Sequence, residues 1–419
     1  MHTLIGQIWN KDSGTLAAAH KERYISAIKS FMTIIIMSVP PIAILGGGPS
    51  GLTLARLLEC NKIDYVIYER DASSSIEGQG GSLDIHGTTG QQVLKEAGLF
   101  EEFKKYARWE ASKTIIQDKN GTTHLVFGED QDAPEIDRAS LRKILVESIP
   151  PSKIRWGHPV KTVENLGSGE ITINFVNGTS VSGFKLVVGA DGAWSKARHL
   201  LTSAKPQYSG KHYLEAKIST SNPFYPTINE IVGVGNLIAL GEGKQLSAAE
   251  QGDGSYRIYI GLVVPEDFAK SGIVDLSKAD GDVARSQFIT NADFFGTWGS
   301  ELKDVIANSQ GAFKSWPLYY LPPDALSWDR VPGIALVGDA AHLSTPFVGE
   351  GVNCSMFDSL VLARQIVEHG LEKLDAAVEA YEKDMFERGK DLIERSNGSA
   401  AFLFAPNAPK PLLDVIAKS

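Results

Sequence analysis

Three glycines near the front of the chain have the spacing of a phosphate-binding loop. Gly46, Gly48 and Gly51 fit the pattern G-x-G-x-x-G. In such a loop the first glycine allows a tight turn, the second lets the backbone approach a pyrophosphate, and the third lets the following helix pack closely on the preceding strand. Free N–H groups at the start of that helix, where Ser50 lies, then face the anion. The motif predicts a dinucleotide site, but by itself it does not distinguish NAD from FAD.

The elements that such a loop requires surround it in the right order. Residues 42–45 are apolar, as in a buried parallel strand, and residues 52–58 carry apolar side chains at helical spacing. A second apolar strand at 65–68 is followed by Glu69, which stands 18 residues after the last glycine of the motif. An acidic side chain there can accept hydrogen bonds from a ribose diol.

Two later segments repeat the combination of an apolar strand, glycines and an acid. Residues 185–198 lead through Asp191 into an expected helix, and residues 334–353 lead through Asp339 into another. An aspartate at the carboxyl end of a strand lies where open α/β sheets bind ligands. No second G-x-G-x-x-G follows the first. We therefore expect these two segments and residues 42–70 to form one permanent dinucleotide site.

A glycine-rich loop and two arginines are further candidates for contacts with the cofactor. Residues 78–87 contain four glycines, so this loop either passes close to a ligand, moves, or is a plain surface connection. Arg138 and Arg142 are one turn apart on a predicted helix that begins after Asp137 as its N-cap. They form either a solvated basic face or a contact with the cofactor.

The composition excludes several classes of function. There are 50 acidic and 41 basic residues, and the resulting net charge of −9 argues against a duplex nucleic-acid binder. The two cysteines, Cys60 and Cys354, form no C-x-x-C pair, which suits a reducing compartment, and we expect the cytoplasm. The nine histidines form no H-x-H or H-E-x-x-H pattern, so no protein-built metal site is expected.

Residues 1–37 are expected to be an extension outside the fold. Their apolar run at 31–37 is too short to cross a bilayer, and mixed charges precede it instead of the order of a signal peptide. We therefore expect no stable membrane insertion. A disordered extension, or a start codon assigned too far upstream, is favoured over a weak mitochondrial presequence.

Together, the three motifs resemble those of the class A flavoprotein monooxygenases, the aromatic-ring hydroxylases. The signatures of that family are G-x-G-x-x-G, a DG motif and a GD motif, which correspond here to residues 46–51, 191–192 and 338–339. Their order and spacing agree over nearly all of residues 38–400. The combination is far more specific than any single motif.

Within that family, the chain is most similar to the tetracycline-inactivating monooxygenases. The similarity is carried by residues 80–86, 134–142 and 338–342. The resemblance implies an α/β fold, in which a Rossmann-like FAD-binding domain of the glutathione-reductase type carries an inserted β-sheet substrate domain and a C-terminal helix.

The domain assignment that follows is discontinuous. The FAD-binding domain is assigned to 38–98, 121–205 and 321–352, the substrate-binding domain to 99–120 and 206–320, and the C-terminal helical segment to 353–419.

The resemblance also implies which residues contact FAD. Glu69 and Arg70 would hold the adenosine end, and Arg138 and Asp339 the ribityl–pyrophosphate, with Asp84 at the flavin side. The remaining expected contacts of the three motifs and of the isoalloxazine-lining segment are Gly46, Gly48, Ser50, Gly51, Asp191, Gly338, Pro346, Gly349, Gly351, Val352 and Asn353. Backbone N–H groups at 351–353, the start of a helix, can stabilise negative charge on the flavin pyrimidine.

The positions that contact the drug in the tetracycline enzymes differ in this chain. They fall on Glu215, Asn236 and Tyr259, and the basic residue that precedes the G-G-x-L-D loop falls on Glu77. These differences argue against tetracycline itself as the substrate and against a fixed NADPH contact at Glu77. The first three residues are candidates for lining a substrate pocket, and no catalytic side chain is assigned.

The resemblance implies an FAD-dependent monooxygenase that consumes NADPH or NADH and O₂. It would hydroxylate an aromatic or polycyclic small molecule, such as a secondary metabolite or a tetracycline-like antibiotic, through a flavin C4a-hydroperoxide. Alternatives are an FAD-dependent oxidase or reductase and a non-catalytic flavoprotein that sequesters a ligand. A tryptophan-type halogenase is disfavoured because W-x-W-x-I-P is absent. The sequence does not determine the oligomeric state, for which a monomer is our expectation.

Overall fold

The computed structural model describes residues 39–74, 81–129, 131–165, 167, 170–278 and 280–417. The predicted extension at 1–37 and Glu77 lie outside these ranges. The strands within them are β1 (Ile42–Leu45), β2 (Tyr65–Tyr68), β3 (Ser82–Asp84), β4 (Thr114–Asp118), β5 (Thr123–Phe127), β6 (Glu135–Asp137), β7 (Ile154–Arg155), β8 (Val160–Asn165), β9 (Ile171–Phe175), β10 (Ser180–Val181), β11 (Leu186–Gly189), β12 (Gln207–Ile218), β13 (Asn236–Gly241), β14 (Lys244–Glu250), β15 (Tyr256–Val263), β16 (Gln310–Tyr320) and β17 (Ile334–Leu336).

The helices alternate with these strands at first and then dominate the end of the chain. They are α1 (Pro49–Cys60), α2 (Gly90–Glu96), α3 (Phe100–Lys104), α4 (Arg138–Glu147), α5 (Tyr225–Ile231), α6 (Asp282–Thr290), α7 (Ser300–Ala307), α8 (Asp339–His342), α9 (Gly351–His369), α10 (Leu374–Leu403) and α11 (Lys410–Ile416).

A five-stranded parallel sheet brings together strands from distant parts of the chain. Its order is β17-β11-β1-β2-β7, and every neighbouring pair is parallel. All four residues of β1 are fully buried, as expected for a strand covered on both faces. The carboxyl ends of β1, β11 and β17 therefore lie side by side. This confirms the prediction that the three strand–glycine segments converge.

The second large sheet has seven strands, in the order β16-β12-β15-β14-β13-β4-β5. Side chains alternate between its two faces. Leu214 and Ile218 of β12 pack in one core with Phe288 of α6 and Leu302 of α7. Tyr213 points to the opposite face. The predicted domain boundary between residues 120 and 121 falls in the turn between β4 and β5, which both belong to this sheet.

The opposite face of that sheet meets the loop that follows α8. The ring of Tyr213 contacts the ring of Phe347 at a centroid distance of 6.0 Å, and Phe347 in turn contacts Phe404 at 5.4 Å. Both contacts are edge-on, a favourable arrangement for aromatic pairs. The loop between α8 and α9 is therefore sandwiched between the sheet and the end of α10. The predicted fold class with its inserted sheet is confirmed, and the expected C-terminal helix is a set of three, α9, α10 and α11.

One local element differs from the sequence expectations. The helix expected after β11 is only a 3₁₀ turn at Arg198–Leu200. The short helices α2 and α3 are separate because Gly98 between them has a φ of +69°. Within the described ranges, no helix has both the length and the apolar character to span a bilayer.

Candidate functional site

The three motif glycines have distinct surroundings. Gly46 has a φ of +106°, and a Cβ there would overlap the carbonyl oxygen of Ala190. A Cβ on Gly51 would overlap the carbonyl oxygen of Gly46, at the point where α1 packs on β1. By contrast, a Cβ on Gly48 would meet no atom within 4 Å. The tight turn thus explains Gly46, and the close packing of helix on strand explains Gly51. Gly48 instead faces open space, as a pyrophosphate-binding position requires.

A buried arginine joins the loops that follow β11 and β17. The guanidinium of Arg198 donates to the carbonyl oxygen of Ala193 at 2.8 Å and to that of Asp339 at 2.8 Å. The two aspartate-bearing loops are therefore held as one unit. The sequence analysis did not single out Arg198, and its only signal was a basic residue shortly after Asp191-Gly192.

Glu69 and Arg142 meet at the other end of the glycine loop. The Glu69 carboxylate accepts hydrogen bonds from the N–H groups of Gly47 and Asp71. Arg142 is 5% exposed, and donates from Nε to the Gly47 carbonyl oxygen at 3.2 Å and from Nη2 to Asp71 Oδ2 at 3.0 Å. Arg70, the predicted adenosine contact, is 83% exposed. The buried arginine at this end is therefore Arg142. The sequence had left open whether Arg142 lies on a solvated basic face or contacts the cofactor.

Two charged side chains of this region each have a buried polar atom without a hydrogen-bond partner among the residues that the structure describes. These atoms are Nη1 of Arg142 and Oδ1 of Asp191. Burial raises the pKa of Asp191, although hydrogen bonds from Ser195 and from the Lys196 N–H oppose the shift. An unpaired buried polar group costs about 1–3 kcal/mol. A ligand with phosphate oxygens and hydroxyls, such as FAD, would fit both the unpaired donor and the unpaired acceptor.

Replacing Arg142 with methionine is expected to weaken FAD affinity by about tenfold, because a hydrogen bond to a charged group contributes about 1.5–3 kcal/mol. Affinity for ADP should fall by the same factor, since Arg142 lies at the Glu69 end of the glycine loop. Fluorescence titration of the flavin-stripped chain measures the FAD affinity, and competition measures that of ADP. Arg70→Met is the matched control and should change neither. Unchanged FAD affinity in Arg142→Met would contradict the assignment.

The loop after β3 is locked to the start of α9 by one side chain. Asn353 accepts from the His86 N–H at 2.9 Å and donates to the Asp84 carbonyl oxygen at 2.8 Å. The predicted isoalloxazine-lining residue thus uses its side chain to hold this loop, and only its backbone remains for a ligand. Gly349 lies against the same loop, where a Cβ would come within 2.9 Å of Asp84 Oδ2.

The remaining predicted contacts of this segment surround the same turn. Pro346 is exposed, and its carbonyl oxygen accepts from the Gly349 N–H at 3.2 Å. Gly351 and Val352 are the first residues of α9, and a Cβ on Gly351 would meet no atom within 4 Å. Like Gly48, Gly351 therefore borders open space at a helix N-terminus.

His86 is expected to titrate above its usual range. Its hydrogen bond to Asp84, at 2.9 Å, raises the pKa of His86, and burial only partly opposes the shift. A raised folded-state pKa means that this stabilisation is fully present below pH of about 6.5 and is lost as the pH rises through the folded-state value. NMR titration should place His86 above 6.5 and His212, whose pKa burial lowers, below it. The opposite order would contradict the assignment.

The three predicted pocket residues lie on the face of the seven-stranded sheet that carries Tyr213. Glu215 and Tyr259 are direct partners across β12 and β15, and Asn236 lies on β13. Glu215 is fully engaged, because its carboxylate pairs with Arg257 and accepts from Trp316 Nε1 at 3.0 Å. It therefore organises this face and is not a free base.

Tyr259 and Arg138 connect this face with the cofactor side. Burial, with a smaller effect of Glu215, raises the pKa of Tyr259 to about 12, so its hydroxyl stays protonated at neutral pH. Burial also raises the pKa of Asp339, and the charge of Arg138 opposes both shifts. Arg138 is exposed, and its backbone N–H donates to the Gly81 carbonyl oxygen at 3.0 Å. The charge of Arg138 thus acts on both Asp339 at the strand end and Tyr259 on the sheet face.

Comparison with known proteins agrees with this architecture. A family described as an FAD binding domain matches residues 40–223 and 326–396. The monooxygenase asqM of Emericella nidulans is 30% identical, over 90% of this chain and 98% of its own length. The 3-amino-4-hydroxybenzoate 2-monooxygenase PtnB3 of Streptomyces platensis is 27% identical, over 91% and 93%.

Solved structures share the fold. Klebsiella pneumoniae HpxO, complexed with FAD and uric acid, superposes with a TM-score of 0.73 at 20% identity, over 90% of this chain and 92% of its own. The tetracycline destructase Tet(51) superposes with a TM-score of 0.66 at 17% identity, over 91% and 96%.

Proposed function

Because the chain belongs to the FAD-dependent monooxygenases that carry this FAD binding domain, we propose that it hydroxylates an aromatic or polycyclic small molecule, with NADPH or NADH as the electron donor and O₂ as the oxygen source. The observation that carries the proposal is the apposition of two surfaces. The sheet face with Glu215 and Tyr259 lies opposite the loop between α8 and α9, which it contacts through Tyr213 and Phe347. A cofactor held by that loop would face a substrate on the sheet.

The chain's own residues would bind and orient FAD. In this proposal Gly48 and Ser50 receive the pyrophosphate, Glu69 and Arg142 hold the adenosine end, and Asp339 holds the ribityl chain. When bound, FAD supplies the electron transfer and oxygen transfer of the reaction. The protein excludes water and holds the acceptor in place.

The sheet face favours a planar substrate. Tyr213 and Tyr259 contact one another at a ring-centroid distance of 5.8 Å, and Trp316 lies beside them on β16. Their rings offer apolar surface, while the protonated Tyr259 hydroxyl can donate a hydrogen bond to a phenolate or carbonyl oxygen. The names of PtnB3 and of the HpxO complex refer to an aminohydroxybenzoate and to uric acid, which are planar and polar-edged molecules.

The test is a screen of aromatic and polycyclic compounds with the purified protein, FAD and NADPH under ¹⁸O₂. We expect substrate-stimulated oxidation of NADPH and a product that contains one ¹⁸O atom. A product without ¹⁸O would indicate an oxidase or reductase. Stoichiometric binding of a compound without oxidation of NADPH would indicate a sequestering protein.

A further inference from the structure

A buried carboxylate lies directly beneath the turn that carries Asp339. Asp358, on α9, is 0% exposed. Its Oδ2 accepts from the Gly338 N–H at 2.7 Å and lies 2.6 Å from His342 Nε2, and its Oδ1 accepts from Arg388 Nη2 at 2.8 Å. The oxidation and oxygen-transfer chemistry of FAD does not require this cluster, so its place beneath the turn needs another explanation.

Charge pairing holds the cluster together. Burial by itself would lower the pKa of His342 and raise that of Asp358, but the attraction between the two groups outweighs burial. As a result, the pKa of His342 lies well above its usual value and that of Asp358 below its own. Arg388, which also pairs with the exposed Asp384, adds a second cation. Removing Asp358 would leave the buried charge of His342 without its partner.

The turn above the cluster needs support from outside. Gly338 has φ +61° and ψ −142°, a conformation that other residues rarely adopt, and a Cβ there would lie 2.8 Å from Ser355 Oγ. The helix that follows, α8, has only four residues and does not stabilise itself. Asp358 accepts a hydrogen bond from the Gly338 N–H, and Arg198 donates one to the Asp339 carbonyl oxygen. The backbone of Asp339 is therefore fixed on both sides.

A metal site is the alternative reading of the same side chains. Ligand atoms of His342, Cys354 and Asp358 lie within 4.8 Å of one another. However, Asp358 already accepts from a guanidinium and from a backbone N–H, and a cation in contact with a ligand opposes binding of a metal ion. The geometry therefore favours a hydrogen-bonded support.

We propose that Asp358, together with His342 and Arg388, is a positioning unit for the cofactor. It fixes the Gly338 N–H and thereby aims the Asp339 carboxylate at the ribityl chain of FAD. This inference rests on the proposed contact between Asp339 and FAD.

The test compares FAD with ADP, which lacks the ribityl and flavin parts. In the flavin-stripped full chain, His342→Leu and Asp358→Asn should each weaken FAD affinity by about tenfold or more, while ADP affinity stays within about twofold. His342→Gln retains a donor toward Asp358 and should keep FAD affinity near that of the wild type. The leucine variant is close to the histidine in volume, so it keeps the test open if Asp358→Asn fails to fold.

Several outcomes would overturn the proposal. Unchanged FAD affinity in His342→Leu excludes positioning, and an equal loss of FAD and ADP indicates a general structural role. Stoichiometric metal in the purified protein, measured by mass spectrometry, assigns the cluster to an ion. Asp339→Ala tests the proposed contact between Asp339 and FAD separately from the positioning role. If Asp339→Ala also leaves FAD affinity unchanged, both the contact and the positioning role are wrong.

Discussion

Replacing Gly48 with alanine is expected to leave the protein folded and to weaken FAD binding by about 100-fold, equivalent to about 2.7 kcal/mol. Gly48 has φ −83° and ψ −177°, which alanine adopts without strain, and an added Cβ would meet no protein atom within 4 Å. The Cβ would instead occupy the space through which the pyrophosphate must approach the N-terminus of α1. Flavin fluorescence titration and thermal unfolding of the flavin-stripped chain measure the two effects separately.

Gly398 provides a matched control for this substitution. It lies in α10 on the protein surface, and an added Cβ would also meet no atom within 4 Å. Gly398→Ala should leave FAD affinity unchanged and raise stability by about 0.5–1 kcal/mol, because alanine is the better helix former. If Gly48→Ala binds FAD as tightly as Gly398→Ala does, the pyrophosphate does not approach Gly48.

The second large effect is expected at Gly51, where alanine should destabilise the fold itself. Helix propensity favours alanine over glycine by about 1 kcal/mol. However, the new Cβ would overlap the backbone carbonyl oxygen of Gly46 and come within 3.2 Å of the Ala190 Cβ. Overpacking typically costs about 1–3 kcal/mol, and rigid backbone atoms on one side make the upper end applicable here. We therefore expect a net loss of about 2 kcal/mol in the free energy of unfolding.

Urea unfolding of the flavin-stripped Gly51→Ala chain measures that loss, with Gly398→Ala again as the reference. A stability equal to or above that of the wild type would show that α1 can move away from β1 at no cost. The two motif glycines thus predict separable phenotypes: loss of cofactor with the fold retained at Gly48, and loss of stability at Gly51.

Much of the fold could be predicted because its signals are local. The apolar run of β1, the glycines after it and the helical pattern of α1 lie within 19 consecutive residues, 42–60, and each reflects the surroundings of its own segment. The same holds for β11 with Asp191 and for β17 with Asp339. Parallel strands with helical connections then leave few ways to arrange these units, so convergence of their carboxyl ends was predictable.

The pairings between side chains were harder to predict from the sequence. The resemblance placed Arg70 at the adenosine end and left Arg142 between a solvated face and a cofactor contact. Only the packing of α4 against α1 buries Arg142 beside Gly47. Glu215 was a candidate for lining a substrate pocket, and only the register of β12, β15 and β16 places Arg257 and Trp316 against it. Pairings of this kind depend on strand register and helix rotation, which no local pattern encodes.

The sequence by itself therefore determined the nucleotide-binding units, their order and the flavin-dependent class of the protein, because those properties depend on backbone requirements within short segments. The tertiary structure alone decided which charged side chains are paired with an opposite charge and which glycines border open space. The Asp358 cluster shows why: its members at 338, 342, 358 and 388 meet only after α8, α9 and α10 have packed together. Burial then makes their pairing obligatory, since an isolated charge in the interior is too costly to retain.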